Sequence, residues 1–330
     1  MRHDVGMLGD GHPDSTVPGA AAASRLWGWA GSALLAAVVM ALSAGLAAPA
    51  TVDPLPAVIH VSAAPQLKES WVRVVDTSRA TISHGRVVSH SRNLPTLVIR
   101  PATPGPHPLV VFSHGYDITP KPYLHLLRHW AAAGFVVAAP YFPLTRSDAS
   151  APLDEDDVAN QPKDVSAVLT QVERVLGNAI DRRHVVIAGH SDGGATSFGS
   201  GFATAVRDAR WTAVMVFSGD RRRDLGRFGA PGRSLPMLLI QSNRDEYNSL
   251  AAASKVWAVP RAPKTYVHLY GAKHLAPFAG ACAYRDIVEA TTTDFLRAWT
   301  TTDLRKRHVA LHELVRDAQQ RGLSGVTDER

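Results

Sequence analysis

One serine in this chain sits where a nucleophile would have to sit. In Gly189-His190-Ser191-Asp192-Gly193 it has a glycine two residues away on either side, follows the apolar run Val185-Val186-Ile187-Ala188, and precedes a small-residue segment. This spacing predicts a strand, a turn too tight for side chains at the two glycines, and a helix that starts at Asp192 or Gly193. The helix would aim its positive dipole end and a free backbone N–H at whatever the serine attacks. Five residues are a weak signal by themselves. A serine hydroxyl needs a base to take its proton and a group to orient that base.

Both partners follow apolar runs further along. Leu238-Leu239-Ile240-Gln241 leads to Asp245 and Glu246, and the run 266–270 leads through Gly271-Ala272-Lys273 to His274. In an open α/β sheet the reactive crevice lies beyond the carboxyl ends of the strands, so groups placed just after such runs converge there. Ser191, Asp245 and His274 are the expected catalytic set, with His274 as base and Asp245 holding the imidazole tautomer. Glu246 is the rival acid, one residue further from the strand. Val110-Val111-Phe112-Ser113 leads into His114-Gly115-Tyr116-Asp117, where glycine lets the chain turn its next N–H toward the crevice. The oxyanion hole is assigned to the backbone N–H groups of Tyr116 and Asp192, and His114 is read as a support for the loop. The Asp192 side chain is expected to cap the following helix; the competing role is repulsion of anionic substrates. Tyr116, Tyr123 and Phe142, with the Arg221-Arg222-Arg223 loop, are expected around the rim as substrate contacts. Asp164 is read as structural.

Positioning these groups requires alternating strands and helices, and the pattern supplies them. Apolar runs at 109–113, 135–139, 184–189, 212–217, 237–241 and 265–270 read as strands; 122–133, 161–176, 193–205, 248–256 and 285–299 read as helices. This predicts an α/β fold with a mostly parallel central sheet flanked by helices. Upstream, 71–76 and 94–100 read as antiparallel strands joined by the turn-rich segment 84–93. Residues 303–320 read as an added charged helix and 321–330 as a frayed tail. Only 218–236 separate two of the strands, too few residues for a large cap domain, so the site should be open.

These residues resemble the α/β-hydrolase superfamily, near the group of dienelactone hydrolases, platelet-activating-factor acetylhydrolases, chlorophyllases and cutinase-like polyester hydrolases. The resemblance covers about residues 70–300 and is carried by 109–116, by 131–140, by 189–194, and by Asp245 and His274. It implies the α/β-hydrolase fold and the Ser-Asp-His set, but not a substrate. Dienelactone hydrolases carry cysteine where this chain has Ser191. Polyester hydrolases usually carry tryptophan where it has Ser218-Gly219-Asp220.

Composition bounds the rest. The 330 residues are 45% hydrophobic and 19% charged, enough for one large core. From Leu26 to Pro56 the only charged residue is Asp53, so residues 1–50 read as a secretory signal with cleavage after Ala50, preceding a catalytic domain over 51–302 and a helical extension over 303–330. The rival is an uncleaved span tethering the protein through residues 26–50. Either way the protein is expected to be secreted or anchored at the outer face of the cytoplasmic membrane. The leading residues hold Asp4, Asp10 and Asp14 against Arg2 and Arg25, unusual for a signal, and a translation start at Met7 or Val17 would shorten them. The net charge of +6 comes without aromatic residues interleaved among the basic ones, so nucleic acid is not an expected partner. The single Cys282 cannot form an intramolecular disulfide, and no metal or organic cofactor is required. The expected function is a serine hydrolase that cleaves a small-molecule or lipid-like carboxylic ester through an acyl-enzyme. The alternatives are an extracellular acyltransferase using the same residues and a catalytically silent binding protein on the same fold.

Overall fold

The computed structural model describes residues 66–330, so the expected signal or anchor segment lies outside the described residues. Nine strands form one sheet: β1 (Leu67–Val72), β2 (Thr96–Pro101), β3 (His107–Ser113), β4 (Val136–Pro140), β5 (Ile180–His190), β6 (Ala213–Phe217), β7 (Met237–Ser242), β8 (Lys264–Leu269) and β9 (Ser324–Glu329). Their order across the sheet is β1-β2-β4-β3-β5-β6-β7-β8-β9. The six from β4 to β8 run parallel, and β1, β2 and β9 pair antiparallel at the margins. All five residues of β6 and all six of β7 are buried, as expected of strands covered on both faces.

The helices are α1 (Leu124–Ala132), α2 (Gln161–Leu176), α3 (Asp192–Phe202), α4 (Leu250–Trp257), α5 (Ala276–Ala279), α6 (Arg285–Trp299) and α7 (Leu304–Ala318). Two hydrophobic layers sandwich the sheet. Val110, Phe112, Trp130, Phe217 and Phe295 belong to one, and Leu109, Val111, Leu169, Phe198 and Trp211 to the other. Alternate residues of β3 thus feed opposite layers, the period-two rule of a pleated strand. From β3 the chain goes to β4 on one side and then to β5 on the other. That reversal opens a crevice between the ends of β3 and β5.

The front and back of the chain differ from expectation. The segment 84–93 is not a simple turn: Thr81–Ser83 pairs with Arg86–Ser89, and Val75–Asp76 pairs with Arg92–Asn93. Residues 321–330 are not a frayed tail, because β9 pairs with all six residues of β8. Ser-Gly-Val-Thr-Asp-Glu carries little apolar signal, and it is held by the ladder and by side chains: Thr265 Oγ1 donates to Asp328 Oδ1 at 2.6 Å and Lys264 Nζ lies 3.2 Å from Glu329. Residues 303–330 therefore belong to the same compact unit as the rest of the sheet. Among the described residues no helix is long and apolar enough to cross a membrane, and between β6 and β7 there is a single short turn of helix, Arg223–Leu225.

Candidate active site

Strand β5 delivers Ser191 into the crevice with φ 57° and ψ −122°. This left-handed conformation costs a non-glycine residue about 1–3 kcal/mol and persists only where its neighbours enforce it. They do so through the two glycines. A Cβ on Gly189 would lie 2.0 Å from the Gly193 carbonyl oxygen, and one on Gly193 would lie 2.0 Å from that of Ser113. Ser191 N–H donates to Phe217 O at 2.9 Å, which ties the turn to β6. Asp192 opens α3, so its N–H has no acceptor within the helix.

The loop after β3 comes close to the serine, since a Cβ on Gly115 would lie 3.1 Å from Ser191 Cβ. His114 supports this loop as expected. Its Nδ1–H donates to Gly115 O at 2.8 Å and its Nε2 accepts from Phe142 N–H at 3.2 Å. Burial holds its basicity down to about 4, so it stays neutral. Tyr116 N–H makes no hydrogen bond among the described residues.

His274 and Asp245 meet across the loops after β8 and β7. His274 Nδ1 lies 2.9 Å from both oxygens of Asp245. Burial works against ionisation of Asp245, but the His274 ring and the N–H groups of Asn248 and Tyr247 hold its carboxyl well below the usual range. Gln241 Nε2 adds a further bond to Asp245 at 2.9 Å. Glu246, the rival acid, accepts from the His274 backbone N–H at 3.1 Å and leaves the imidazole to Asp245. Ser191 and His274 line one cavity of about 710 Å³ with Tyr116, Tyr123, Asp192 and Tyr247. No hydrogen bond joins Ser191 Oγ to His274 among the described residues, a distance that commonly closes only around substrate.

Several expected contacts need correction. Phe142 is fully buried in the hydrophobic layer and its ring packs against His114 at 5.0 Å, so it supports the loop and does not line the cavity. Tyr123 does line it, but from within: its side chain is fully buried and its hydroxyl lies 2.8 Å from His190 Nδ1. Asp192 makes no capping bond to α3, and its Oδ2 is buried with no hydrogen-bond partner. Burial, followed by the nearby Glu155 carboxylate, raises Asp192 to about 6 against the opposing pull of Arg222. Of the Arg221–Arg223 loop only Arg222 reaches this wall, 3.9 Å from Asp192 and 3.5 Å from Glu155. Asp164 has the structural role expected of it, in a buried ion pair with Arg92 at 2.6 Å. Cys282 is half-buried and donates to Ala276 O.

Sequence reasoning missed three groups around the imidazole. Tyr247 lies across its ring at a centroid distance of 4.9 Å. His190 lies against it at 4.5 Å and bonds the His274 carbonyl at 3.0 Å. Gln241 braces the acid. His190 was visible inside the serine motif, where its neutrality and burial carried no sequence signal; Tyr247 needs the loop geometry to be seen.

A mostly parallel sheet with its serine elbow after the central strand β5, and an acid and a histidine on the loops after β7 and β8, defines the α/β-hydrolase fold. Within that class the sequence is similar to chlorophyllases, one of the groups it was expected to resemble. The chlorophyllase family model matches residues 72–218. The chlorophyllase type 0 of Chenopodium album is 29% identical over 127 residues, which are 37% of this chain and 37% of that protein. The chain thus matches well under half of that relative's length. The family match includes the Gly115-Tyr116 loop and Ser191, and it stops before Asp245 and His274.

Proposed function

We propose that this protein is a serine hydrolase of carboxylic esters. The observation that carries the reading is the placement of His274, held by Asp245 at 2.9 Å in the cavity that Ser191 enters from its strained turn. Similarity to chlorophyllases supports an ester as the bond attacked.

In this reaction Ser191 Oγ attacks the ester carbonyl while His274 Nε2 takes its proton, and Asp245 stabilises the imidazolium through Nδ1. The carbonyl oxygen becomes an oxyanion held by the N–H groups of Tyr116 and Asp192, each donor contributing about 3–4 kcal/mol. Collapse breaks the C–O bond to the alcohol, which leaves with the proton from His274, and the acyl group remains on Ser191. Water then gives a proton to His274 and attacks the acyl carbon. A second collapse returns the proton to Ser191 Oγ and releases the acid. The acyltransferase reading differs only in the acceptor of the second half. We further propose export, with residues 1–50 as signal or anchor.

The test is hydrolysis of p-nitrophenyl esters from acetyl to palmitoyl, with Ser191→Ala as control. The expected result is activity that Ser191→Ala lowers by about 10⁴-fold or more, with a chain-length optimum that defines the acyl pocket. Added alcohols that divert the acyl group into new esters, at the expense of free acid, would favour the transferase. A folded wild-type protein with no activity and no fluorophosphonate label on Ser191 would overturn both enzyme readings.

A further inference from the structure

The strand that carries the nucleophile and the loop that carries the base are joined by one side chain, His190. It is the last residue of β5 and is buried, with its ring against those of His274 at 4.5 Å and Phe278 at 4.8 Å. Both ring nitrogens are engaged. Nε2 lies 3.0 Å from the His274 carbonyl oxygen, and a carbonyl only accepts, so Nε2 carries the hydrogen. Nδ1 is then an acceptor, and the Tyr123 hydroxyl at 2.8 Å is its donor. The direction of the chain is fixed: Tyr123 O–H to His190, and His190 N–H to the His274 backbone.

We propose that His190 is a positioning residue, which with Tyr123 clamps the backbone of His274 so that its imidazole reaches Ser191. This rests on the assignment of Ser191 and His274 above. His274 is held at three atoms by three partners: Asp245 at Nδ1, Glu246 at the backbone N–H, and His190 at the backbone oxygen. The first two lie side by side on the loop after β7, so they fix His274 to that loop alone. Only the His190 bond references it to β5, where the nucleophile is. A shift of about 1 Å between reacting groups costs about 10²-fold in rate, the kind of shift a single missing tether would permit. The ring also stays neutral while His274 becomes an imidazolium during turnover. Burial, followed by repulsion from His274, holds His190 down to about 3, so the clamp keeps its donor when the proton arrives next door.

The experiment uses the full chain with three variants. His190→Leu fills the space without hydrogen bonds. His190→Gln keeps one acceptor and one donor about as far apart as the two imidazole nitrogens. Tyr123→Phe removes the hydroxyl alone. For each, kcat and KM on p-nitrophenyl butyrate, the fluorophosphonate labelling rate of Ser191, and Tm are measured. His190→Leu is expected to lower kcat and labelling together by about 10²-fold with KM within about twofold. His190→Gln should recover at least tenfold of that loss, and Tyr123→Phe should fall between Gln and wild type. Folded His190→Leu enzyme with wild-type kcat, or Gln no better than Leu, would overturn the clamp. Should Leu not fold, ¹⁵N NMR of the wild type decides: a neutral His190 protonated at Nε2 at pH 6 supports the proposal, and protonation at Nδ1 overturns it. Ester hydrolysis that persists in Ser191→Ala would instead sink the functional reading, a result independent of the His190 tautomer.

Discussion

Two buried polar networks in this molecule use similar groups and behave in opposite ways. In the first, Arg92 is fully buried and donates to Asp157 at 2.8 Å twice and to Asp164 at 2.6 Å twice, while Arg79 adds 2.6 Å to Asp164 and 2.7 Å to Asp76. In the second, Asp245 holds His274 opposite Ser191. The first is closed: its charged groups meet one another, and it pins the front hairpins to α2. The second is deliberately unfinished, since His274 Nε2 and Ser191 Oγ have no hydrogen bond among the described residues and line the cavity. Saturated charges fix a fold, and an unsaturated pair held by saturated neighbours is available for chemistry.

Breaking each network should separate the two roles. Asp245→Asn presents the wrong hydrogen-bonding partner to Nδ1 and should lower kcat/KM by about 10⁴-fold, with a drop of about 1–2 kcal/mol in urea-unfolding stability. Arg92→Met leaves Asp157 buried without its cation and Asp164 with Arg79 alone, so it should lower stability by about 3–5 kcal/mol while kcat/KM per folded molecule stays within about twofold. A result in which Arg92→Met abolished catalysis at full stability would erase the distinction.

Asp192 sharpens it, because that half-buried carboxyl beside the serine has its Oδ2 buried without a hydrogen bond. Its folded value is raised to about 6 from the usual 3.8. A carboxyl raised in this way binds its proton more tightly when folded, so it costs stability above about pH 6 and costs nothing below the unfolded value. Asp192→Asn should therefore stabilise by about 1–3 kcal/mol at pH 8, and thermal melts should show the gain disappearing by pH 4. Equal gains at both pH values would mean that the charge is not the cause. The smallest effect is expected at Tyr247, 77% exposed with its ring over His274. Tyr247→Ala should change kcat/KM by a few-fold at unchanged Tm, measured with the same esters.

The contrast also explains what could be read from the sequence. Ser191, Asp245 and His274 were legible because strand ends impose position: apolar runs end, and the next residues must be in the crevice. The six parallel strands were legible because burial on both faces leaves long apolar runs. Arg92 was invisible, because an arginine in a polar stretch looks solvated until Asp157 and Asp164 arrive from 65 and 72 residues away. Strand β9 was invisible for the same reason, its pairing with β8 lying in the backbone ladder and not in its residue types. Phe142 was misplaced because apolarity announces burial as readily as it announces a substrate surface.

The sheet has two outermost strands, and both present charge where a flat apolar ribbon would recruit further strands. In β1, Lys68 and Glu69 are exposed, and in β9 the run closes with Asp328 and Glu329. Without β9 the free margin would be β8, whose Tyr266, Val267 and Leu269 are the residue types that template intermolecular pairing. The polar ribbon Ser324–Glu329 thus acts as a gatekeeper against aggregation, and its absence of apolar signal is the property that makes it effective there.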